Sequence, residues 1–262
     1  MSFNNEGTET NIKPKYFLKS EKGNFDISNY IGKPLSILFL NKITCISCGK
    51  SIKKTYGQGY CYPCFISVPQ TEECVLRPEL CRAHEGIARD MDYAKQNCLV
   101  DQYVYLATSG GLKVGVTRYH QVPYRWVDQG ASKAIIIAVT KNRYNAGLIE
   151  VALKKILADK TNWRKMLMGN DEDIPLTGEK HKALEYLNNQ QAFEYAIPND
   201  IEFRVDYEVN SFPTKVISKS LDKENSINGL LTGIKGQYMI FEGGRVINIR
   251  KHTGYHVKIM GE

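Results

Sequence analysis

The sequence lacks the long apolar runs that would place it in a membrane. No stretch of its 262 residues approaches the ~18 consecutive apolar residues that span a bilayer. The opening segment, MSFNNEGTETNIKPK, has no apolar core, so it does not have the pattern of a signal peptide. We therefore expect a cytoplasmic protein without a membrane partner.

The sequence also lacks a glycine-rich phosphate loop, a nucleophile elbow and an internal repeat, which argues against several large enzyme classes. All seven cysteines lie in the first hundred residues, and none follows Cys98. In a chain without an export signal, such clustering predicts metal ligation before disulfides.

Composition and charge are otherwise ordinary. A hydrophobic content of 42% and a charged content of 24% fit a globular chain of one to three domains. The net charge of +7 permits an anionic partner, DNA or RNA, without requiring one. No protein partner is evident.

The first cysteine cluster reads CISCGKSIKKTYGQGYCYPC and contains two Cys-x2-Cys pairs. Four thiolates in two close pairs can surround a zinc ion tetrahedrally with no open position, which is typical of a structural site. The intervening residues predict a short hairpin of the zinc-ribbon type. A redox pair or unligated thiols are the alternatives. The predicted ligands are Cys45, Cys48, Cys61 and Cys64.

A second, looser set of ligand residues follows. Three thiolates and one imidazole would complete a second structural zinc site if the loops fold back. The alternative is buried free cysteines beside a surface histidine, and Glu85 or Asp90 could also replace one ligand. The predicted ligands are Cys74, Cys81, His84 and Cys98.

The stretch from 103 to 150 carries the clearest secondary-structure pattern. Two β-branched, apolar runs at 104–107 and 112–117 flank a TSGG turn and predict a hairpin. A short helix is predicted within 122–131, a buried strand at 134–140 and an amphipathic helix at 145–158. We expect a further helix to begin at Asp159 or Thr161.

This order of strand, strand, helix, strand and helix, with the residues it carries, resembles the GIY-YIG endonuclease fold. The segments VYLA (104–107) and KVGVT (113–117) stand where the family has its two tripeptides. Arg125 stands where the family has an arginine on its first helix, and Glu150 where it has a metal-binding glutamate. The chain departs from the family at Lys113, where many members have a tyrosine.

The resemblance implies a set of catalytic roles. Glu150 would hold one divalent ion, Mg²⁺ or Mn²⁺, and Arg125 would stabilise charge on a scissile phosphate. Tyr105 or Tyr103 would help to activate water, and Lys113 would bind phosphate.

Physical chemistry supports these roles but also offers plainer ones. Alternation along strands puts Tyr103 and Tyr105 on one face, and a nearby cation such as Lys113 would favour an ionised tyrosine. Magnesium often takes only one or two carboxylates, so a single Glu150 suffices. Alternatively, Glu150 and Lys154 form an ordinary i, i+4 helix pair, and the tyrosines are plain sheet residues.

Several basic or aromatic residues around this stretch are candidates for contacting nucleic acid. Trp126 could stack on a base, although a large aromatic residue on a short helix more often packs in a core. The candidates are Arg118, Trp126, Lys141, Arg143 and Arg164.

The chain ends are expected to form a separate unit. Short strands separated by glycines in 200–262 predict a small β-barrel-like domain, which the strands of 13–44 would complete. Residues 1–12 are polar and predict a disordered tail. The zinc-binding region (45–99) and the GIY-YIG-like domain (100–199) would then form an insertion, giving an α+β protein.

Further motifs, among them RPELC (77–81), RWVDQGA (125–131) and GIKGQY (233–238), are similar to those of a bacterial family of uncharacterised function. The family often has a cysteine in a GTCR step, which reads GIAR (86–89) here. We expect a metal-dependent phosphodiesterase acting on DNA or RNA. The alternatives are a catalytically inactive zinc-containing nucleic-acid-binding protein and, third, a protein-interaction scaffold.

Overall fold

A computed structural model describes residues 1–20, 23–157, 162–171, 173–190 and 193–261 as a mixed α+β structure. The strands of these residues are β1 (Ser2–Asn5), β2 (Asn11–Ile12), β3 (Pro14–Ser20), β4 (Gly23–Asp26), β5 (Pro34–Thr44), β6 (Ser51–Ile52), β7 (Gln102–Thr108), β8 (Leu112–Arg118), β9 (Lys133–Thr140), β10 (Glu202–Val205), β11 (Ile217–Lys219), β12 (Ser226–Lys235), β13 (Tyr238–Phe241), β14 (Arg245–Asn248) and β15 (Tyr255–Gly261). The α-helices are α1 (Tyr62–Ser67), α2 (Met91–Asn97), α3 (Tyr124–Asp128), α4 (Arg143–Leu153), α5 (Trp163–Leu167) and α6 (Leu176–Asn188). None of the helices in these described ranges is long and apolar enough to cross a membrane.

A five-stranded sheet of order β2-β10-β9-β7-β8 holds three of the five candidate catalytic residues, Tyr103, Tyr105 and Lys113, while Arg125 lies on α3 and Glu150 on α4. The sequence β7, β8, α3, β9 and α4 has the predicted order of strand, strand, helix, strand and helix. Helix α4 ends at Leu153, short of the predicted 158, which lies outside the described residues. The helix start expected at Asp159 or Thr161 also lies outside them, and Asn162 caps α5 by accepting a hydrogen bond from the Lys165 amide.

The two faces of β7 pack into different cores because side chains alternate along a strand. Val104 and Leu106 join the core under α4, together with Ile149 of that helix. Tyr105 points the other way, into a core that includes Trp126 of α3 and the half-barrel. The central strand is therefore covered on both faces.

The β-rich unit is a curled half-barrel of order β11-β14-β13-β12-β5-β15, with β6 added to β5. The pairing expected between 13–44 and the C-terminal strands is made by β5, which lies antiparallel to both β12 and β15. By contrast, β3 pairs with β1 and β4 in a separate three-stranded sheet.

Residues 1–12 are not the disordered tail that their polar composition predicts. They form β1, which pairs with β3, and β2, which pairs in parallel with β10. Phe3 is 4% exposed and Ile12 is fully buried. Burial of these two apolar side chains, together with the backbone pairing of β1 and β2, orders a segment that is otherwise polar.

A buried polar cluster joins the half-barrel to the five-stranded sheet. Lys235 of β12 donates to Asp171 over 2.8 Å and to Ser132 over 3.3 Å. Ser132 also donates to Asp171, whose second carboxylate oxygen accepts from the Gly110 amide over 2.7 Å. Lys235 is only 2% exposed, so this cation serves the junction between the sheets and not a nucleic-acid surface.

His252 is expected to make the half-barrel sensitive to acid. Its Nδ1 hydrogen-bonds the Asn248 carbonyl over 2.8 Å, and its Nε2 accepts from the Leu221 amide over 3.0 Å, so the ring is neutral. Burial lowers the pKa of His252 below its usual 6.5. The unfolded chain therefore binds more protons on acidification, and the free energy of unfolding should fall as pH drops below about 6.5.

Denaturant unfolding at pH 7.5 and at pH 5.5 measures this loss. His252→Gln should shrink the difference between the two pH values, whereas the exposed His181→Gln should retain it. An undiminished difference in His252→Gln would assign the acid sensitivity to other groups.

Candidate functional site

The first cysteine cluster is assembled. The sulfurs of Cys45, Cys48, Cys61 and Cys64 all lie within 4.8 Å of one another. Zn–S bonds of about 2.3 Å in a tetrahedron separate sulfurs by about 3.8 Å. The 3.7 Å between the Cys48 and Cys61 sulfurs fits this spacing, so the donor set suits zinc.

The two cysteine pairs are held by different local structures. Cys45 and Cys48 lie in the turn between β5 and β6, where the Gly49 amide donates to the Cys45 carbonyl and Gly49 adopts a φ of 71°. Cys61 and Cys64 lie at the start of α1, with Cys61 as the N-cap residue. A zinc-ribbon hairpin would hold both pairs on β-turns, so the second pair departs from that expectation. The cause is local: Pro63 at the first helical positions favours a helix start.

Backbone amides favour the thiolate at this site. Burial raises the pKa of the Cys45 thiol, but hydrogen bonds from the amides of Cys48, Cys61 and Ser47 outweigh it. The resulting pKa of Cys45 is about 6. Since zinc binds the thiolate form, the turn is preorganised for metal before any ion arrives.

The second cluster contains three of the four predicted ligands. The sulfurs of Cys74, Cys81 and Cys98 lie within 4.8 Å of one another, and all three residues are buried. Thiol hydrogen bonds from Cys74 and Cys81 lower the pKa of Cys98 to about 3, with a smaller contribution from Arg143. Three buried sulfurs at this spacing suit a zinc-like ion.

His84 does not join this group, because its ring stacks on Tyr144 at 4.4 Å between centroids. The prediction of His84 as a fourth ligand, which was based on its CxxH spacing from Cys81, is therefore wrong for this structure.

Gln129 connects two of the candidate catalytic residues, and sequence reasoning missed it. Its Oε1 accepts hydrogen bonds from the Tyr105 hydroxyl over 2.9 Å and from the Lys113 ammonium over 2.5 Å. Its backbone carbonyl accepts from the Ser109 hydroxyl over 2.7 Å. Gln129 is the C-cap residue of α3 and lies one turn after Arg125. This i, i+4 spacing from a candidate catalytic residue is the one sequence signal that could have identified Gln129.

Arg125 and Glu150 both act electrostatically on the Tyr105 hydroxyl. The Arg125 guanidinium interacts with the Tyr105 hydroxyl, and the charge of Glu150 is near enough to raise the pKa of Tyr105. Glu150 is 8% exposed and pairs with Lys154 over 3.4 Å, so the predicted i, i+4 contact is also present. Arg125 is exposed while Tyr105 and Lys113 are buried, so the site opens to solvent on the side of the arginine.

The pKa of Tyr105 moves in the opposite direction from the one expected. Burial raises it, and this effect exceeds the opposing influence of Arg125. The hydroxyl is therefore protonated near neutral pH and acts as a hydrogen-bond donor. Tyr103 is half-buried and faces Thr117 on the neighbouring strand.

The candidate nucleic-acid residues divide by burial. Trp126 is fully buried against Tyr105 and Phe203, and Arg143 is 8% exposed, so neither is placed to touch nucleic acid. Arg118 is half-buried and donates to Asn97. The other two are exposed: Lys141 pairs with Asp101 over 3.1 Å, and Arg164 lies over the Trp163 ring at 4.2 Å.

Gly115 lets the Tyr105 ring lie flat on the hairpin. A methyl group at this position would meet the Tyr105 Cζ and hydroxyl oxygen at 2.7 Å. We expect Gly115→Ala to displace the ring and lower the free energy of unfolding by about 1–3 kcal/mol. Chemical denaturation measures the loss.

Gly178→Ala is a matched control for this substitution, because Gly178 lies in α6 with nothing within 4 Å of an added methyl group. It should be neutral or slightly stabilising. Equal stability of Gly115→Ala and the unaltered protein would contradict the close approach of the ring.

Two pockets on the described surface lie away from this group. The larger, of about 510 Å³, is lined by residues of the N-terminal sheet and of 206–208. The smaller, of about 160 Å³, contains Asp128, which pairs with Arg250 over 3.1 Å. Neither is lined by Tyr105, Lys113 or Glu150.

Comparison with known proteins identifies a family without assigning an activity. Neither a curated protein nor a solved structure matches the chain. One family model, described as a protein of unknown function (DUF2797), matches residues 32–257. This match takes in β5, both cysteine clusters, most of the half-barrel, and the residues Tyr105, Lys113, Arg125, Gln129 and Glu150. The chain therefore belongs to the DUF2797 family.

Proposed function

We propose that this protein is a metal-dependent phosphodiesterase that acts on DNA or RNA through a GIY-YIG-like site. The observation that carries the proposal is the set of charged residues that act on one tyrosine: Lys113 shares Gln129 with Tyr105 through hydrogen bonds, Arg125 interacts with the Tyr105 hydroxyl, and the charge of Glu150 raises the pKa of that hydroxyl. Two cations and one carboxylate around a hydroxyl donor are the groups that phosphodiester cleavage uses.

Each residue has a distinct role in this proposal. Glu150 would supply the carboxylate for one Mg²⁺ or Mn²⁺ ion, which polarises the phosphate and activates water. Arg125 is exposed and would bind the scissile phosphate from solvent. The Tyr105 hydroxyl donates its single proton to Gln129, and its raised pKa makes it a poor base, so it would orient water or a phosphate oxygen only by exchanging that hydrogen bond on substrate binding. Gln129 would act as a positioning residue that holds Tyr105 and Lys113 together.

The two cysteine clusters would bind structural zinc. Four thiols in the first cluster and three in the second match the preference of zinc for sulfur ligands. A cytoplasmic location fits this role, because a reducing compartment keeps cysteines available for metal. Arg118, Lys141 and Arg164 remain the candidate contacts to the nucleic-acid backbone.

A nucleic-acid-binding protein without cleavage is the second candidate. It is favoured by the burial of Tyr105 and Lys113, which are fully buried and 3% exposed, respectively. The lysine that stands where many members of the resembled family have a tyrosine removes one catalytic hydroxyl, while Arg118, Lys141 and Arg164 would still attract the phosphate backbone.

A cleavage assay separates the two candidates. The zinc-loaded protein is incubated with single-stranded, duplex and branched DNA and RNA, with Mg²⁺ or Mn²⁺ and with chelator as control. Divalent-metal-dependent cleavage supports the phosphodiesterase. Salt-dependent binding without cleavage across the panel supports the second candidate, and absence of both refutes both.

A further inference from the structure

The second cysteine cluster is tied to the first turn of α4 by one buried arginine. The Arg143 guanidinium donates to the Cys74 carbonyl and to the Asn97 carbonyl, each over 3.2 Å. The Arg143 amide donates to the Cys98 carbonyl over 2.8 Å. Arg143 therefore connects two of the three cysteine-bearing segments to the beginning of the helix.

The third segment contacts α4 one turn later. A methyl group at Gly147 would meet the Glu79 amide nitrogen at 2.2 Å and the Pro78 carbonyl carbon at 2.4 Å. The turn that leads into Cys81 thus rests directly on the helix backbone. His84, three residues after Cys81, stacks on Tyr144 of α4 at 4.4 Å between centroids.

Glu150 lies on the same helix, one turn beyond Gly147. A hydrogen-bonded helix is stiff over two turns, so a shift of Arg143 and Gly147 carries Glu150 with it. Charge also favours the arrangement, because three thiolates on one Zn²⁺ leave a net negative charge beside the buried Arg143 cation. Loss of the ion would leave the segments that hold α4 without a common anchor.

We propose that the metal ion bound by Cys74, Cys81 and Cys98 positions α4, and that its occupancy sets the divalent-metal affinity of Glu150. Arg143 is the positioning residue that transmits the effect. The inference rests on the metal-binding role proposed for Glu150. It makes the second cluster a zinc-dependent control of the candidate active site in addition to a fold-stabilising element.

The test compares Mn²⁺ affinity and local helix stability in matched variants. Arg143→Met removes the donors, Arg143→Lys keeps the charge with a different geometry, and Cys81→Ser removes a zinc ligand. Arg89→Met is the control, because Arg89 is exposed and donates to the Val68 carbonyl away from α4. Mn²⁺ binding is measured by electron paramagnetic resonance well below the unfolding temperature, and α4 is followed by hydrogen exchange.

Substitution of residues that orient metal ligands typically weakens affinity 10–100-fold. We therefore expect Arg143→Met and Cys81→Ser to raise the Mn²⁺ dissociation constant by roughly this factor. Arg143→Lys should have a smaller effect, and Arg89→Met none. Arg143→Met should retain both zinc ions, which separates loss of positioning from loss of metal.

Unchanged Mn²⁺ affinity in Arg143→Met and Arg143→Lys would overturn the inference. If the unaltered protein binds no Mn²⁺ at all, the proposed function fails and the effect on Glu150 fails with it, and hydrogen exchange then decides only whether the bound metal ion positions α4. Faster exchange confined to 146–153 in Arg143→Met and Cys81→Ser supports positioning. Unchanged exchange in these variants refutes positioning, because α4 is then not held by the cluster. Uniformly faster exchange also refutes it, because a merely structural role loosens the whole fold.

Discussion

Glu150→Gln is expected to abolish divalent-metal-dependent cleavage while leaving both zinc sites loaded. The substitution preserves shape but removes the charge that Mg²⁺ or Mn²⁺ requires of a ligand. A metal ion contributes several kcal/mol of transition-state stabilisation, and about 1.4 kcal/mol corresponds to tenfold in rate. The cleavage rate should therefore fall by roughly 10²–10³-fold or more, together with loss of Mn²⁺ binding.

The control for this substitution is Glu185→Gln, an exposed glutamate on α6, which should leave cleavage and Mn²⁺ binding intact. The alternative role of Glu150 is its ion pair with Lys154. If that pair were its whole role, Glu150→Gln would change the free energy of unfolding and leave cleavage at its original rate. That result would remove Glu150 from the proposed mechanism.

Cys61→Ser is expected to lower the zinc content from two ions to one and to unfold the segment around α1. All of residues 46–73 are described, and only Gly59 and Cys61 among them are buried. Helix α1 itself has no buried residue, and Cys61 is its N-cap. A segment with so little core would depend on a bound metal ion, and structural zinc can contribute about 10–16 kcal/mol in small domains. Native mass spectrometry counts the ions, and hydrogen exchange follows the segment.

Lys53→Ala, at an exposed lysine in the same segment, should retain two zinc ions and normal protection. The half-barrel and five-stranded sheet should stay protected in Cys61→Ser, because their cores do not include this segment. A full complement of zinc in Cys61→Ser, or unchanged protection of 45–71, would show that the cluster is not a structural metal site.

The order of elements from β7 to α4 was predictable because each element carries its own periodicity. The β-branched, apolar runs at 104–107 and 112–117 on either side of a turn define strands, and the i, i+3, i+4 stripe that includes Ile149 defines a helix. The same patterns failed at 1–12, where composition outweighed the two apolar residues, Phe3 and Ile12. Those residues are buried only because partner strands from distant parts of the chain lie beside them.

Gln129 shows what linear patterns leave out at the candidate site. It lies 24 residues from Tyr105 and 16 from Lys113 in sequence, and no local pattern relates the three. Cross-strand register puts Tyr105 opposite Gly115, and α3 then brings Gln129 over both strands. Trp126 and Arg143 illustrate the converse: their side-chain types indicated nucleic-acid contacts, but packing buried both.

Three features could be predicted from the sequence by itself. They are the paired cysteines, the order of strands and helices from 103 to 150, and the residues that resemble a phosphodiesterase site. These follow from spacing and periodicity, which act between residues close in the chain. Only the tertiary structure decided which groups meet. It gathered Cys74, Cys81 and Cys98 without His84, joined Tyr105 to Lys113 through Gln129, and placed the second cluster against α4. Such proximity depends on sheet register and helix packing, which the chain specifies collectively and not through any one motif.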